Sequence, residues 1–343
     1  MPDPAPGGAP RTVYPRMRDL PAAQGMSGVV REALGAGCRV LGVERLRGGS
    51  KKGVYRVRVD GSPAPSVIVY SWAEGENFWP ATGPGQASAD PFAPASGLAP
   101  FLAAQRELAR VGVRAPRVLS SGSTADAADF AVVEDITGGT LEQLFETDPG
   151  RAASALADLA GTLELMQCRK APRYGRVDLL ERGGAALGSS CEQVVLDRAL
   201  RDLAEAADRD VRVEAARGRL AGQLHDLRDM VRPRTSYGLI HGELGPDHVL
   251  VSPEGCAVLI DIEGLMYFDV EWEHVFLRIR FGRRYAALSR PGLDPRRIAL
   301  YAQAMRLSLV AGPLRLLDGD FPDREFMRGI AEHNLSEALA ALP

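Results

Sequence analysis

The chain has 343 residues, 45% of them hydrophobic and 25% charged, with a formal charge of only -3, which is ordinary for a folded globular protein. That balance excludes a nucleic-acid binder built on basic excess, and the length implies two lobes rather than one core. No apolar run reaches the ~18 residues of a membrane span, and the cysteines Cys38, Cys168, Cys191 and Cys256 lie too far apart for a zinc cluster or disulfide framework, which suits a reducing cytoplasm.

Residues 1–27 are rich in Pro and Gly without an apolar h-region, and are expected to form a flexible N-terminus, neither signal peptide nor anchor. SGVVREALGAG then reads as a short helix with Ser27 as its N-cap and glycines at its end. The stretch from Cys38 to Trp72 alternates as strand, glycine-rich turn, strand, Gly/Pro turn and strand, which predicts three antiparallel strands. Asn77 to Pro100 reads as loop, followed by a helix to about Arg110, a strand after Pro116 and a second strand, FAVVE, that breaks at Gly138 and Gly139. From there to about Arg232 the pattern is mostly helical, with one core stripe at Leu156, Leu159, Leu163 and Met166 and another at Leu220, Leu224, Leu227 and Met230. A strand, SYGLI, enters the polar loop HGELGPDHVLV, and CAVLID returns after the turn SPEG. Two helices finish the chain, the first capped by Asp294 with Pro295 behind it. The order predicts a small strand-rich lobe over 28–136 and a larger helical lobe over 137–343 with a β-hairpin embedded in it.

The loop and the strand after it carry the chemistry. A carboxylate, a ligand-type side chain five residues later and an aspartate ending the next strand suit a metal-nucleotide. Phosphoryl transfer asks for one carboxylate to orient the attacking hydroxyl and others to hold Mg²⁺ on the phosphates. Glu243 fits the first role, His248 and Asp261 the second, with Glu263 equally suited to the metal or to backbone. Asp269, Glu271 and Glu273, in FDVEWEHVF, are expected to draw a cationic substrate or else to form a solvated helix start. Of the three lysines, Lys51 and Lys52 share the glycine-rich turn.

HGELGPDHVLV followed by VLIDIEG resembles the signature of the aminoglycoside phosphotransferase family, H-G-D-x-x-x-x-N and then a strand-ending I-D, over roughly residues 38 to 310. The resemblance implies an α+β, two-lobed protein-kinase-like fold, with a small antiparallel β N-lobe that binds nucleotide and a larger, mainly helical C-lobe. It implies ATP and Mg²⁺ as cofactors and a hydroxylated small molecule, such as an antibiotic or sugar, as substrate. By it Glu243 stands at the catalytic Asp, His241 braces the loop, and Asp261 and His248 are the metal ligands. His in place of the usual Asn is similar to macrolide kinases of the superfamily. Gly48, Gly49, Ser50, Lys51, Lys52 and Gly53 resemble the phosphate loop, and the backbone at Glu134 and Ile136 the adenine-binding linker. Two departures stand out: Tyr70 occupies the position of the usual third-strand Lys, and its partner Glu is missing, the apolar stretch near Phe101 aligning there and Glu107 falling too late. Lys51 and Lys52 are the expected replacements, with Arg56 and Arg58 behind them. Those departures make a catalytically impaired pseudokinase the alternative, and a choline or fructosamine kinase relative a weaker one. Helices between about 185 and 232 and the C-terminal pair are expected to bind the acceptor.

Overall fold

Alternating burial along Gly53–Asp60 and unbroken burial along Ser66–Val69 mark strands with one and two covered faces. In the computed structural model, which describes residues 22–46, 51–77, 89–93, 95–124, 128–319, 321 and 323–342, both lie inside a five-stranded antiparallel sheet. The elements here are α1 (Ala22–Leu34), β1 (Arg39–Arg45), β2 (Gly53–Asp60), β3 (Ser66–Ser71), α2 (Leu98–Arg110), β4 (Val118–Ser123) and β5 (Asp129–Glu134), and the strand order is β1-β2-β3-β5-β4. Met26 and Val30 of α1 cover one face over Val57, Val67 and Val132, while Phe101, Ala104 and Leu108 of α2 cover the other over Ile68, Tyr70 and Val133. The helix begins at Ala22, so Ser27 lies inside it and is not its N-cap, since Ala22, Ala23 and Gln24 are themselves good helix formers.

The larger part holds α3 (Leu141–Thr147), α4 (Pro149–Cys168), β6 (Lys170–Ala171), β7 (Gly175–Arg176), α5 (Val177–Glu181), α6 (Cys191–Ala207) and α7 (Val211–Asp229). After these come β8 (Tyr237–Ile240), β9 (Val249–Val251), β10 (Ala257–Leu259), β11 (Met266–Phe268), α8 (Val270–Phe281), α9 (Pro295–Leu317) and α10 (Arg324–Ala340). Helix starts are set locally: Thr140 and Gln143 form a capping box, and Asp148, Ser190, Asp210 and Asp294 each accept a backbone N–H. The α4 stripe is buried as expected, but in α7 only Leu220 and Leu224 are, and Met230 lies past the helix end, 48% exposed. β9 and β10 form the expected hairpin, whereas β8 pairs with β6 and β11 instead of β9. β11 was not expected, since four apolar residues, LMYF, have no period to read.

The acidic run corrects the sequence reading. Asp269, Glu271 and Glu273 are at most 1% exposed, neither solvated nor in the cleft. Glu271 accepts both Arg234 amino groups at 2.7 Å, and Asp269 takes Tyr301 Oη at 2.5 Å and the guanidinium of Arg297, which also reaches Glu192 at 3.3 Å. Burial raises the Asp269 carboxyl despite those partners. The network joins α6, α8 and α9. Arg297→Met is expected to lower unfolding free energy in urea by about 3–5 kcal/mol, since it takes the cation from buried Glu192 and leaves Asp269 with only Tyr301 and Arg234. A loss below about 1 kcal/mol would mean that the pair contributes no more than a surface bridge.

Candidate functional site

β8 delivers the loop to the junction of the two parts, and each loop residue is held differently. Gly242 has φ 93°, and a Cβ there would stand 3.1 Å from Met266 Cε, so the turn asks for glycine. His241 is buried, with Nε2 2.9 Å from the Ile260 carbonyl, which can only accept, so that nitrogen carries the proton. Burial lowers its pKa to about 4, and the neighbouring His248 adds to the effect. This neutral ring is a brace for the loop. Glu243 projects into the cleft, and the Lys51 ammonium lowers its pKa against the opposing effect of burial, so it is ionised at neutral pH and able to accept a proton.

His248 follows one 3₁₀ turn later. Its Nδ1 lies 2.8 Å from the Glu243 carbonyl, so Nδ1 is the donor. In the neutral ring Nε2 then keeps its lone pair, 3.8 Å from Asp261 Oδ2 and 3.8 Å from Asp247 Oδ2. Asp247 is pinned by Arg280 of α8 at 2.6 Å. Asp261 ends the hairpin in left-handed conformation at φ 58°, the one non-glycine residue with positive φ among those described, which turns its carboxylate out of the strand.

The position left empty of charge by Tyr70 is filled from the neighbouring strand. Lys52, just ahead of β2, is 5% exposed, and its Nζ lies 2.9 Å from Asp261 Oδ1, 2.5 Å from Glu263 Oε1 and 4.9 Å above the Tyr70 ring. Burial alone would lower the ammonium, but Glu263 and Asp261 outweigh it and hold Lys52 charged. Asp261 is likewise pushed up by burial and, in balance, held well below the usual carboxylate range by Lys52, His248 and Lys51. Gly53 lets the chain pass here, because a Cβ would stand 2.6 Å from Tyr55 Cε2. Gly48, Gly49 and Ser50 lie outside the described residues.

Other candidates are placed elsewhere. Arg56 is no phosphate ligand in reserve: it binds Asp135 through two nitrogens at 2.7 and 3.0 Å, and Ser66 Oγ donates to the same carboxylate, tying β2 and β3 to the linker. The Glu134 side chain meets Arg114 at 3.2 Å and Ile136 is buried, so an adenine contact there would fall to main chain. Glu107 takes Tyr267 Oη at 2.6 Å and Arg169 at 3.1 Å, which explains its absence from the lysine's side.

Sequence reading missed the part played by Glu273, whose signal was spread over distant residues. Its Oε2 accepts the Gly242 N–H at 2.7 Å, and the N–H groups of His241 and Leu244 also favour its charged form. Burial nonetheless raises its pKa to about 7. Glu273 thus braces the His241–Leu244 loop from α8 and is fully buried, away from the cleft. His274, the next residue, packs between Gln167 and Tyr285, with its pKa lowered to about 4 mainly by burial. A histidine with a lowered folded-state pKa stabilises the fold above its unfolded pKa of about 6.5, and this contribution is lost as pH falls towards 4. Between pH 6.5 and 4.5 the wild type should therefore lose about 2 kcal/mol more unfolding free energy than His274→Gln, measured by urea titration. Parallel losses in the two proteins would contradict the assignment.

For a divalent ion, the facing donors are His248 Nε2 and Asp261 Oδ2, and Glu263 Oε2 is buried with no hydrogen-bond partner among the described residues. No ready-made cluster of three or more metal-binding side chains occurs among the described residues. Magnesium needs none, since one or two carboxylates suffice when phosphate oxygens complete its shell. From Glu243 and Asp261 a cavity of about 330 Å³ runs into the larger lobe, within the usual range for small-molecule sites. α6 and the C-terminal helices line it, as does α8, while α7 contributes nothing to it among the described residues.

The model of the phosphotransferase enzyme family matches residues 35–306. No curated protein sequence matches the chain. Among solved structures it is similar to spectinomycin phosphotransferase APH(9)-Ia in complex with ADP and spectinomycin, with 13% identity and a TM-score of 0.63 over 94% of this chain and 99% of that one. A thermostable mutant of aminoglycoside phosphotransferase APH(4)-Ia, in ternary complex with AMP-PNP and hygromycin B, gives 17% identity and a TM-score of 0.58 over 92% and 99%. Choline kinase LicA from Streptococcus pneumoniae gives 14% and 0.58 over the same shares. The expected two-lobed kinase-like fold is thereby borne out.

Proposed function

The chain belongs to the phosphotransferase enzyme family, and from that premise we propose that it is an ATP-dependent small-molecule O-phosphotransferase with Glu243 as the base and Asp261 and His248 as the metal ligands. Family membership gives the pseudokinase reading no support. The observation that carries the site assignment is the opening of one cavity onto Glu243, Asp261 and Glu263, with Lys52 held against the two latter carboxylates. Glu243 orients the acceptor hydroxyl and takes its proton as the γ-phosphoryl group moves across. Lys51, beside Glu243, and Lys52, beside Asp261, face the transferring phosphate with positive charge. Magnesium, when bound, neutralises phosphate charge from the Asp261 side. His241 and Glu273 keep the loop in place. The acceptor is a hydroxylated antibiotic, sugar or related natural product. Dependence on ATP and four unpaired cysteines support action in the cytoplasm, and no helix among the described residues is long and apolar enough to cross a membrane.

Thermal unfolding with nucleotide tests the site. ATP with Mg²⁺ at about 100 times its dissociation constant should stabilise the wild type by about 2.7 kcal/mol. The effect should shrink with EDTA and vanish in Asp261→Ala. Equal stabilisation of the variant, or no dependence on metal, would remove Asp261 from the metal site.

A further inference from the structure

From the walls of the acceptor cavity we infer that this enzyme takes an uncharged, partly apolar hydroxylated acceptor and rejects cations such as hygromycin B, spectinomycin and choline, which appear in the names of its structural neighbours. The inference rests on the phosphotransferase reading and specifies its substrate.

The charge count in the acceptor end is the first observation. Away from the catalytic carboxylates, the charged lining side chains among the described residues are Arg198, Asp202 and Arg315. Asp202 lies 3.4 Å from Arg198 and 3.8 Å from Arg315, and Arg315 also binds Glu205 at 2.8 Å through Nε. Among the described residues two guanidinium groups thus face two carboxylates, with no negative surplus to pair with an amine. Asp261 and Glu263 are bridged by Lys52, and Glu243 lies in the field of Lys51. The acids at the start of α8, Asp269 and Glu271, are paired with Arg297 and Arg234 inside the protein. A polyamine would have to shed its water without gaining a surplus carboxylate in exchange.

The aromatic wall is the second. Phe92, Trp272, Phe276, Met305 and Leu309 line the cavity, with the Phe92 and Trp272 rings 4.6 Å apart. Aromatic walls of this kind also receive quaternary ammonium groups. The Arg198 guanidinium, however, already sits 4.7 Å over the Phe92 ring and is held there by Ser308 Oγ at 2.7 Å. A second cation on that surface would meet it as a like charge.

The polar groups that remain suit hydroxyl, carbonyl or amide functions. Arg198 supplies donors. Pro313, inside α9, has no N–H to give the Leu309 carbonyl, and Leu309, Gly312 and Pro313 all line the cavity, so one main-chain acceptor loses its helical donor on that wall. Donor and acceptor around an apolar slot describe a neutral amphipathic molecule, such as a nucleoside, an aryl glycoside or an aryl polyol.

The test measures ADP release by the full chain with Mg-ATP, alone and with each of two acceptor sets. One set is cationic: hygromycin B, spectinomycin and choline. The other is uncharged: uridine, 4-nitrophenyl β-D-glucoside and chloramphenicol. At least one uncharged acceptor should raise ADP release by about tenfold over the acceptor-free rate, equivalent to 1.4 kcal/mol, with a phosphorylated product by mass spectrometry, and no cation should do so. Stimulation by any cation would overturn the inference. So would silence of the whole uncharged set while the slow acceptor-free release persists and disappears in Asp261→Ala. Absence of both ADP release and nucleotide binding would instead bring down the phosphotransferase reading beneath it.

Discussion

Lys52→Ala is expected to reduce phosphate transfer by about 10²–10³-fold, the usual consequence of deleting one preorganised cationic or hydrogen-bonding group from a transition-state site. The side chain also neutralises two acids, at 2.9 and 2.5 Å, so its loss leaves the 5%-exposed Glu263 without its counter-ion and Asp261 with only His248 and Lys51. A stability loss of about 3–5 kcal/mol accompanies the catalytic one, because a broken buried bridge costs more than the intact bridge contributes. A second substitution separates the two effects. Tyr70 pairs with Val54 across β2 and β3, and its ring lies 4.9 Å from Nζ, so a lysine at 70 reaches the same carboxylates from the adjacent strand. Lys52→Ala with Tyr70→Lys should therefore recover at least about tenfold in kcat/KM and part of the stability, as a charge-transplanting double-mutant cycle. Activity in Lys52→Ala within about threefold of wild type would show that Lys52 serves folding alone.

Glu243→Gln should lower kcat by about 10²–10⁴-fold while nucleotide affinity stays within about twofold, the split expected when a base is lost and binding is kept. The amide keeps the shape but has no lone pair basic enough for the hydroxyl proton. Because the Lys51 ammonium lowers its pKa, the wild-type carboxylate is already ionised at neutral pH, and the acidic limb of kcat against pH should lie below the ordinary glutamate value of about 4.5. Glu243→Asp, which retracts the carboxylate by one methylene, should fall between the two, at about 10²-fold. A Gln variant as active as wild type would take Glu243 out of the chemistry. A variant that loses nucleotide affinity along with kcat would make it part of the binding site instead.

Much of this site was legible in the chain because its signals are local. The spacing from Glu243 through His248 to Asp261 lies within one loop and one hairpin. Lys52 could be picked out because two of only three lysines sit in the glycine-rich turn. What failed was the reading of FDVEWEHVF, and it failed for a physical reason. Whether an acid at a helix start is solvated or buried depends on partners far away, here Arg234, Arg297 and the Gly242 N–H, and nothing within nine residues announces them. Arg56 misled in the same way, since its partner Asp135 is 79 residues distant. Strand β8 was found but mispaired, because its neighbours β6 and β11 are two and three residues long, below the length at which a period can be seen. The cavity beside Glu243 was legible only as a set of helices, since its wall is assembled from scattered residues of four of them and of the stretch around Phe92.

Moving the lysine off the third strand has an effect on the economy of the small lobe. With Tyr70 in its place, β3 carries no group that must stay exposed to phosphate, and Val67, Ile68, Val69 and Tyr70 are all below 9% exposed. One face of the central strand is thus free of the chemistry. Val67 and Val69, packed under α1 and turned away from Lys52, can be exchanged for other apolar side chains of similar volume at a cost of less than about 1.5 kcal/mol without disturbing that ion, whereas Tyr70 lies against it. In engineering terms, a more heat-resistant form can be sought on the α1 side of the sheet while the Tyr70 side is left alone.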